Sequence, residues 1–227
     1  MNSTVKFLAS LTISTLTSAS GAMAWASSAP KATTNSEADR PSIEVRVYDY
    51  VHLERKVLMA AENEAGRIFS NAGVEVRWID CPTSHDVVAD FPSCSLPAST
   101  VSNTLILLDG PKNTGTRADY LLAETQGPLR ATVFYRRIEN LAGGNAAPAA
   151  IVMGRVIAHL TGRNLLEGAT YVKTGILQDF WSDEQLNPIA GAGALFTWAQ
   201  AKQMVGRIDA QNQALEASQS ARNANGQ

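Results

Sequence analysis

From residue 43 the chain shows a two-residue rhythm, in which Ile43, Val45 and Val47 alternate with Glu44, Arg46 and Tyr48. Successive side chains of a strand point to opposite faces, so this stretch predicts a half-buried strand. The rhythm then lengthens. Leu53, Val57, Leu58, Ala61, Ala65, Ile68, Phe69 and Ala72 recur at helical spacing, while Glu54, Arg55, Glu62, Glu64 and Arg67 fall elsewhere on the wheel. A helix of about five turns is expected, ended by Gly73 at its C-cap. Val74, Val76 and Trp78 next alternate with Glu75, Arg77 and Ile79. Strand, helix and strand in so short a span predict a right-handed βαβ unit with parallel strands.

Thr104-Leu105-Ile106-Leu107-Leu108 is a continuous apolar run with Asp109-Gly110-Pro111 behind it, as expected of a buried central strand. A long connection, Lys112 to Pro128, separates it from a fourth strand at Ala131 to Tyr135. Gly143, Gly144 and Asn145 introduce an apolar, alanine-rich helix from Ala146 to about Leu166. Pro148 lies in its first turn, where a missing N–H costs nothing. Pro188 and the run Ala190-Gly191-Ala192-Gly193-Ala194 precede a last helix, about Thr197 to Ala210. Gln211 to Gln227, rich in Ala, Gln, Asn and Ser, is expected to lack order. The pattern is an α+β domain: a small mixed, mostly parallel sheet with a βαβ start, and helices late in the chain.

The first 26 residues stand apart from that pattern. Lys6 precedes an apolar and small-residue stretch, Phe7 to Ala26, which ends in Ala22-Met23-Ala24 and Ala24-Trp25-Ala26. A charged start, an apolar centre and A-x-A cleavage sites are the pattern of a secretory signal peptide. Residues 27–42 are polar and read as a linker, leaving 43–210 as the folded domain and 211–227 as a tail. An exported chain, secreted or periplasmic, meets an oxidising compartment, so its two cysteines, Cys81 and Cys94, are expected to form a disulfide. No second stretch approaches the roughly 20 apolar residues of a membrane span.

Composition narrows the function classes. With 227 residues, 45% of them hydrophobic and 18% charged, the chain is large enough for a real core and too weakly charged to be a disordered polyampholyte. A net charge of -2 without a basic stripe leaves no footprint for nucleic acid. No G-x-S-x-G elbow, C-x-x-C, P-loop or G-x-G-x-x-G after a strand occurs, which argues against the common hydrolase, redox and nucleotide templates. Among the three histidines, His52 at the start of a helix and His85 in the cysteine loop read as solvated surface. Met153, Trp78, Trp181 and Trp198 read as core.

The chemically informative stretch is Gly154-Arg155-Val156-Ile157-Ala158-His159-Leu160-Thr161-Gly162-Arg163, followed by Tyr171 and by Gly175-Ile176-Leu177. Here the chain resembles a family of secreted, zincin-type metallopeptidase-like proteins. That family's core reads V-I-A-H-E-I-G-H, with a third His eight residues on, then G-I-M and a Trp. In that register His159 falls on the first zinc His, Leu160 on the catalytic Glu and Gly162 on the helix Gly. Arg163 falls on the second His, Tyr171 on the third and Leu177 on the Met of the Met-turn. The resemblance extends from about 43 to 205, through Val45 to Tyr48, Ala65 to Phe69, Ala72 to Val76, Asp80-Cys81-Pro82, Val133-Phe134-Tyr135, Phe180-Trp181-Ser182 and Leu195-Phe196-Thr197. It implies a zincin-like fold with an active-site-type helix, and zinc as the cofactor expected for the family.

The physics of the ordinary motif shows what these replacements do. Two His at i and i+4 share one helix face and can reach a single zinc ion at about 2.0 Å, while the intervening Glu takes a proton from the bound water. Arg163 has no lone pair to give, Leu160 cannot act as a base, and the phenol of Tyr171 must lose a proton of pKa about 10 to ligate. His159 is the one ordinary ligand left, so no cofactor is expected. Each residue also has a plain structural use: His159 as a hydrogen-bonded core or cleft histidine, Arg163 in an i, i+4 ion pair with Glu167, and Tyr171 as filler of the space left by imidazole and metal. The expectation is therefore a catalytically inactive metallopeptidase homologue, a pseudoenzyme, whose cleft takes a peptide or protein segment. The alternatives are an active metal-dependent peptidase with atypical ligands, in which His159, Glu167 and Tyr171 could converge on another metal, and a structural exported protein with no cleft function.

Overall fold

The computed structural model describes residues 40–84, 91–111, 121–167, 174–178 and 195–225. The expected signal peptide, most of the linker, His85, Tyr171, Trp181 and the Pro188 to Ala194 run lie outside the described residues. In chain order the elements are β1 (Ser42–Asp49), α1 (Arg55–Asn71), β2 (Glu75–Cys81), a single turn α2 (Pro92–Ser95), β3 (Val101–Leu108), β4 (Ala123–Thr125), β5 (Arg130–Phe134), α3 (Tyr135–Leu141), α4 (Ala146–Leu165) and α5 (Trp198–Asn225).

The five strands form one sheet in the order β2-β1-β3-β5-β4. β1 pairs in parallel with β2 and β3, and β3 in parallel with β5; β4 alone is antiparallel, against β5. The fold is therefore α+β with a mostly parallel sheet and a βαβ start. β4 falls inside the stretch read from sequence only as a long connection, and three residues are too few to show a rhythm.

One face of the sheet carries Ile43, Val45 and Val47 of β1, Val101, Leu105 and Leu107 of β3, and Ala131 and Val133 of β5, all buried. Against it pack α1 and α4, and Met204 and Ile208 of α5 complete the same core. Each buried aliphatic side chain contributes roughly 1.5–3 kcal/mol, so this seam is the main source of stability. α1 stops as its sequence predicts. Gly73 adopts φ 80°, and the N–H groups of Gly73 and Val74 close back on the carbonyls of Ser70 and Phe69 at 3.0 Å; this reverse turn is open to glycine at no steric cost.

α1 and α4 cross in very close contact at Gly154. An ideal Cβ there would lie 2.6 Å from the Ala61 carbonyl oxygen and 2.7 Å from Glu64 Cβ. Beside the crossing, Glu64 takes both guanidinium bonds of Arg67, at 2.8 and 2.9 Å, and faces the buried Arg155 at 3.5 Å. Burial alone would raise the Glu64 carboxyl, but the two arginines outweigh it and hold its pKa below the usual carboxylate value.

The disulfide joins Cys81 at the end of β2 to Cys94 in α2. Arg46 of β1 ties the same loop to the sheet, donating to the carbonyl of Leu96 at 2.7 Å. It also pairs at 2.7 Å with Glu44, a buried carboxylate that Arg77 meets from its other side.

α5 begins with a capping box. Thr197 N–H donates to Gln200 Oε1 at 2.8 Å, and Gln200 N–H donates to Thr197 Oγ1 at 3.3 Å. The helix continues to Asn225, through the segment expected to lack order from Gln211. Asn212 is one physical reason: its side chain accepts from Val101 N–H at 2.8 Å and donates to the Ser42 carbonyl at 3.2 Å, docking the helix on the starts of β3 and β1. Trp198, expected in the core, is instead 77% exposed at the first helical position, with the Lys202 ammonium 5.2 Å from its ring centre. Met153 is fully buried as expected, and Trp78 packs at the edge of the core. His52 is exposed in the turn before α1, with φ 58°.

Candidate functional site

α4 is almost wholly interior. Between positions 152 and 166 every residue is buried except His159 and Arg163, which are partly exposed one turn apart. Asn145 caps the helix through its side chain, accepting from Ala147 N–H at 3.3 Å. The spacing that would serve a metal pair thus presents an imidazole and a guanidinium on the one stripe that reaches the surface.

His159 Nδ1 lies 2.7 Å from the Ile176 carbonyl oxygen. A carbonyl can only accept, so Nδ1 carries the proton and Nε2 holds the lone pair of the neutral ring. Such a bond is the way a protein orients an imidazole for use at its other nitrogen. Ile176 and Leu177 are themselves buried, and the Ile176 N–H donates to the Leu195 carbonyl at 2.9 Å. Gly162, one turn before Leu166, sits under this segment. An ideal Cβ there would lie 2.5 Å from Phe196 Cε1 and 3.2 Å from Leu177 Cδ2. The structure therefore brings together His159, Gly162, the Ile176 carbonyl, Leu177 and Phe196. Phe196 in turn packs on Phe69 of α1, with ring centres 5.2 Å apart.

Leu160 points into the core and is 6% exposed. Glu167 has left the helix, with φ 51°, and its carboxylate pairs with Arg207 of α5 at 3.2 Å, where the sequence suggested Arg163 as its partner. Among the described residues, no group of three or more His, Cys, Asp or Glu side chains is placed to hold a metal ion. Among the described residues, that stripe offers one imidazole nitrogen beside an arginine and an aliphatic side chain, fewer than the three or four lone-pair donors of an ordinary zinc site. No helix among the described residues is long and apolar enough to cross a membrane.

No protein-family profile matches the sequence, and no curated protein matches it. Solved structures do. A zinc-dependent peptidase from Methanocorpusculum labreanum superposes with a TM-score of 0.51 at 14% identity, over 70% of this chain and 99% of its own. The fold is that of a zinc-dependent peptidase. An archaemetzincin from Methanopyrus kandleri gives a TM-score of 0.48 at 9% identity, over 74% of this chain and 97% of its own. Metalloproteinase-II from Bacteroides fragilis gives 0.46 at 10% identity, over 75% of this chain and 54% of its own.

Among the described residues, β4 is the last strand at the end of the sheet away from β2. The Gln126 N–H donates to the Arg130 carbonyl, and the Phe134 N–H to the Leu122 carbonyl, both at 2.9 Å. In an antiparallel ladder the bonded positions alternate. Leu122, Glu124 and Gln126 therefore face β5, and the N–H and C=O groups of Ala123 and Thr125 point away from the sheet. α4 packs beneath β4 and β5, so this edge lies on the same side of the molecule as the helix that carries His159.

Proposed function

We propose that the protein is an exported, catalytically silent metallopeptidase homologue that binds an extended peptide or protein segment at the β4 edge. The observation that carries the reading is the chemistry of the accessible stripe on α4. Where the zincin-type pattern places two zinc ligands and a general base, this chain offers His159, a permanently charged Arg163 and a Leu160 turned into the core. Among the described residues of that stripe, no carboxylate stands where the family Glu would take a proton from water. The guanidinium at Arg163 opposes a divalent cation at the same place. The outward N–H and C=O groups of Ala123 and Thr125 supply the ladder that strand addition needs. Export rests on the leader-like first 26 residues and fits the Cys81–Cys94 disulfide.

Metal analysis of the purified mature protein tests the reading. The expected result is zinc well below one equivalent and no chelator-sensitive peptide cleavage; stoichiometric zinc with such cleavage would establish the active-peptidase alternative instead. Leu160→Glu alone is expected to recover no zinc, whereas Leu160→Glu, Arg163→His and Tyr171→His together restore a full ligand set and zinc uptake. Zinc uptake by the single variant contradicts the ligand-loss argument.

A further inference from the structure

At the other end of the sheet, α1 lies across the edge strand β2. Gly66 marks the register, since an ideal Cβ there would sit 3.8 Å from the indole nitrogen of Trp78. One turn back along α1, Glu62 faces Asp80, which is two residues on from Trp78 and on the same face of β2. Two further turns back, Arg55 forms an ion pair with Asp80. Arg55, Glu62 and Asp80 thus lie along one stripe between helix and strand. Asp80 is 46% exposed and Glu62 only 6%. Glu62 is buried along that stripe, and its Oε1 has no hydrogen-bond partner among the described residues. A carboxylate shut away beside Asp80 with an unpartnered oxygen is costly, so burial favours a protonated Glu62, whose O–H can donate to the Asp80 carboxylate.

We propose that Glu62, Asp80 and Arg55 form a proton-dependent latch that fastens the start of α1 to the end of β2, closed while Glu62 is protonated and loosened when it ionises. The latch borders a cavity of about 380 Å³ at the ends of β1 and β2, lined in part by Asp49, His52, Arg55, Asp80 and Thr83. The other charged groups around Glu62 are already engaged. Asp49 accepts from the N–H groups of Val51, His52 and Leu53; Lys56 pairs with Glu54; Arg155, from α4, faces Glu64. Burial first, and the Asp80 charge second, push the Glu62 carboxyl from 4.5 up to about 7, against the opposing pull of Arg55. The folded chain therefore holds an extra proton between those two values, so the latch stabilises it fully at acid pH and is lost as pH rises through about 7.

Amide hydrogen exchange of the full mature chain, corrected for the intrinsic rate at each pH from 5.5 to 8.5, reads the latch directly. Protection across β2 and the first two turns of α1 is expected to fall by up to about tenfold per pH unit as pH rises from 5.5 towards 7 and to level off above it, with β3 and β5 unchanged. Glu62→Gln should keep that protection at every pH, and Asp80→Asn should flatten the profile. His52→Gln, which removes the imidazole of the cavity, should leave the wild-type dependence intact. A flat wild-type profile, equal losses in β3 and β5, or a Glu62→Gln profile that follows the wild type would overturn the proposal.

Discussion

At the scale of single residues, two glycines decide how closely the site can be built. Gly154 lets α4 lie against the backbone of α1, and Gly162 leaves room for Phe196 and Leu177 against α4. At both positions a methyl group would meet atoms at well under van der Waals distance, yet the obstacles differ. At Gly154 one of them is a backbone carbonyl, which cannot swing aside; at Gly162 the nearest is a phenylalanine ring edge. Gly154→Ala is therefore expected to cost about 2–3 kcal/mol and Gly162→Ala about 1–2 kcal/mol in urea denaturation. The second should also displace Phe196 from its place against α4. A Gly154→Ala chain as stable as wild type would show that the helix crossing is looser than its geometry. Glu62 teaches a related lesson. Its place on the polar side of the helical wheel suggested solvent, but the wheel does not show that a neighbouring strand edge covers that stripe.

At the scale of elements, β4 is the least legible in sequence and the one that the proposed binding would use. Its three residues carry no rhythm, and it exists because β5 offers an antiparallel partner. The outward position of the Thr125 N–H gives a clean test. Thr125→Pro removes a donor that β5 does not use, so the fold should persist, with a far-ultraviolet circular dichroism spectrum and thermal midpoint close to wild type. Binding of segments selected from a displayed peptide library should fall at least tenfold. Unchanged binding would place the peptide elsewhere on the molecule. β1, α1, β2 and α4 were by contrast plain in the sequence, because each buries a regular stripe of apolar side chains and ends at a distinctive residue such as Gly73 or Asn145. α5 was half legible: Thr197 and Gln200 announce its start, whereas its extension past Ala210 depends on Asn212 reaching two strands.

For the whole molecule, the disulfide and Arg46 anchor the connection between β2 and β3 to the sheet. With a sequence separation of 13, opening the bridge should lower stability by about 3 kcal/mol. Replacing Cys81 and Cys94 together by Ser is expected to lower the thermal midpoint by several degrees, as should reductant acting on the wild type. A midpoint unmoved by both would mean that the loop is held by packing alone. The sequence by itself determined the α+β class, the βαβ start, the apolar central strand, the buried helix and the residue types His159, Leu160 and Arg163 along it. Periodicity and residue type are local properties, and an arginine or leucine cannot become a ligand or a base through folding. Only the tertiary structure decided that His159 bonds the Ile176 carbonyl, that Phe196 roofs Gly162, that Glu167 turns to Arg207, and that Glu62 is buried against Asp80. Each of these joins groups far apart along the chain, and such distances are set by how the elements pack, which no local pattern records.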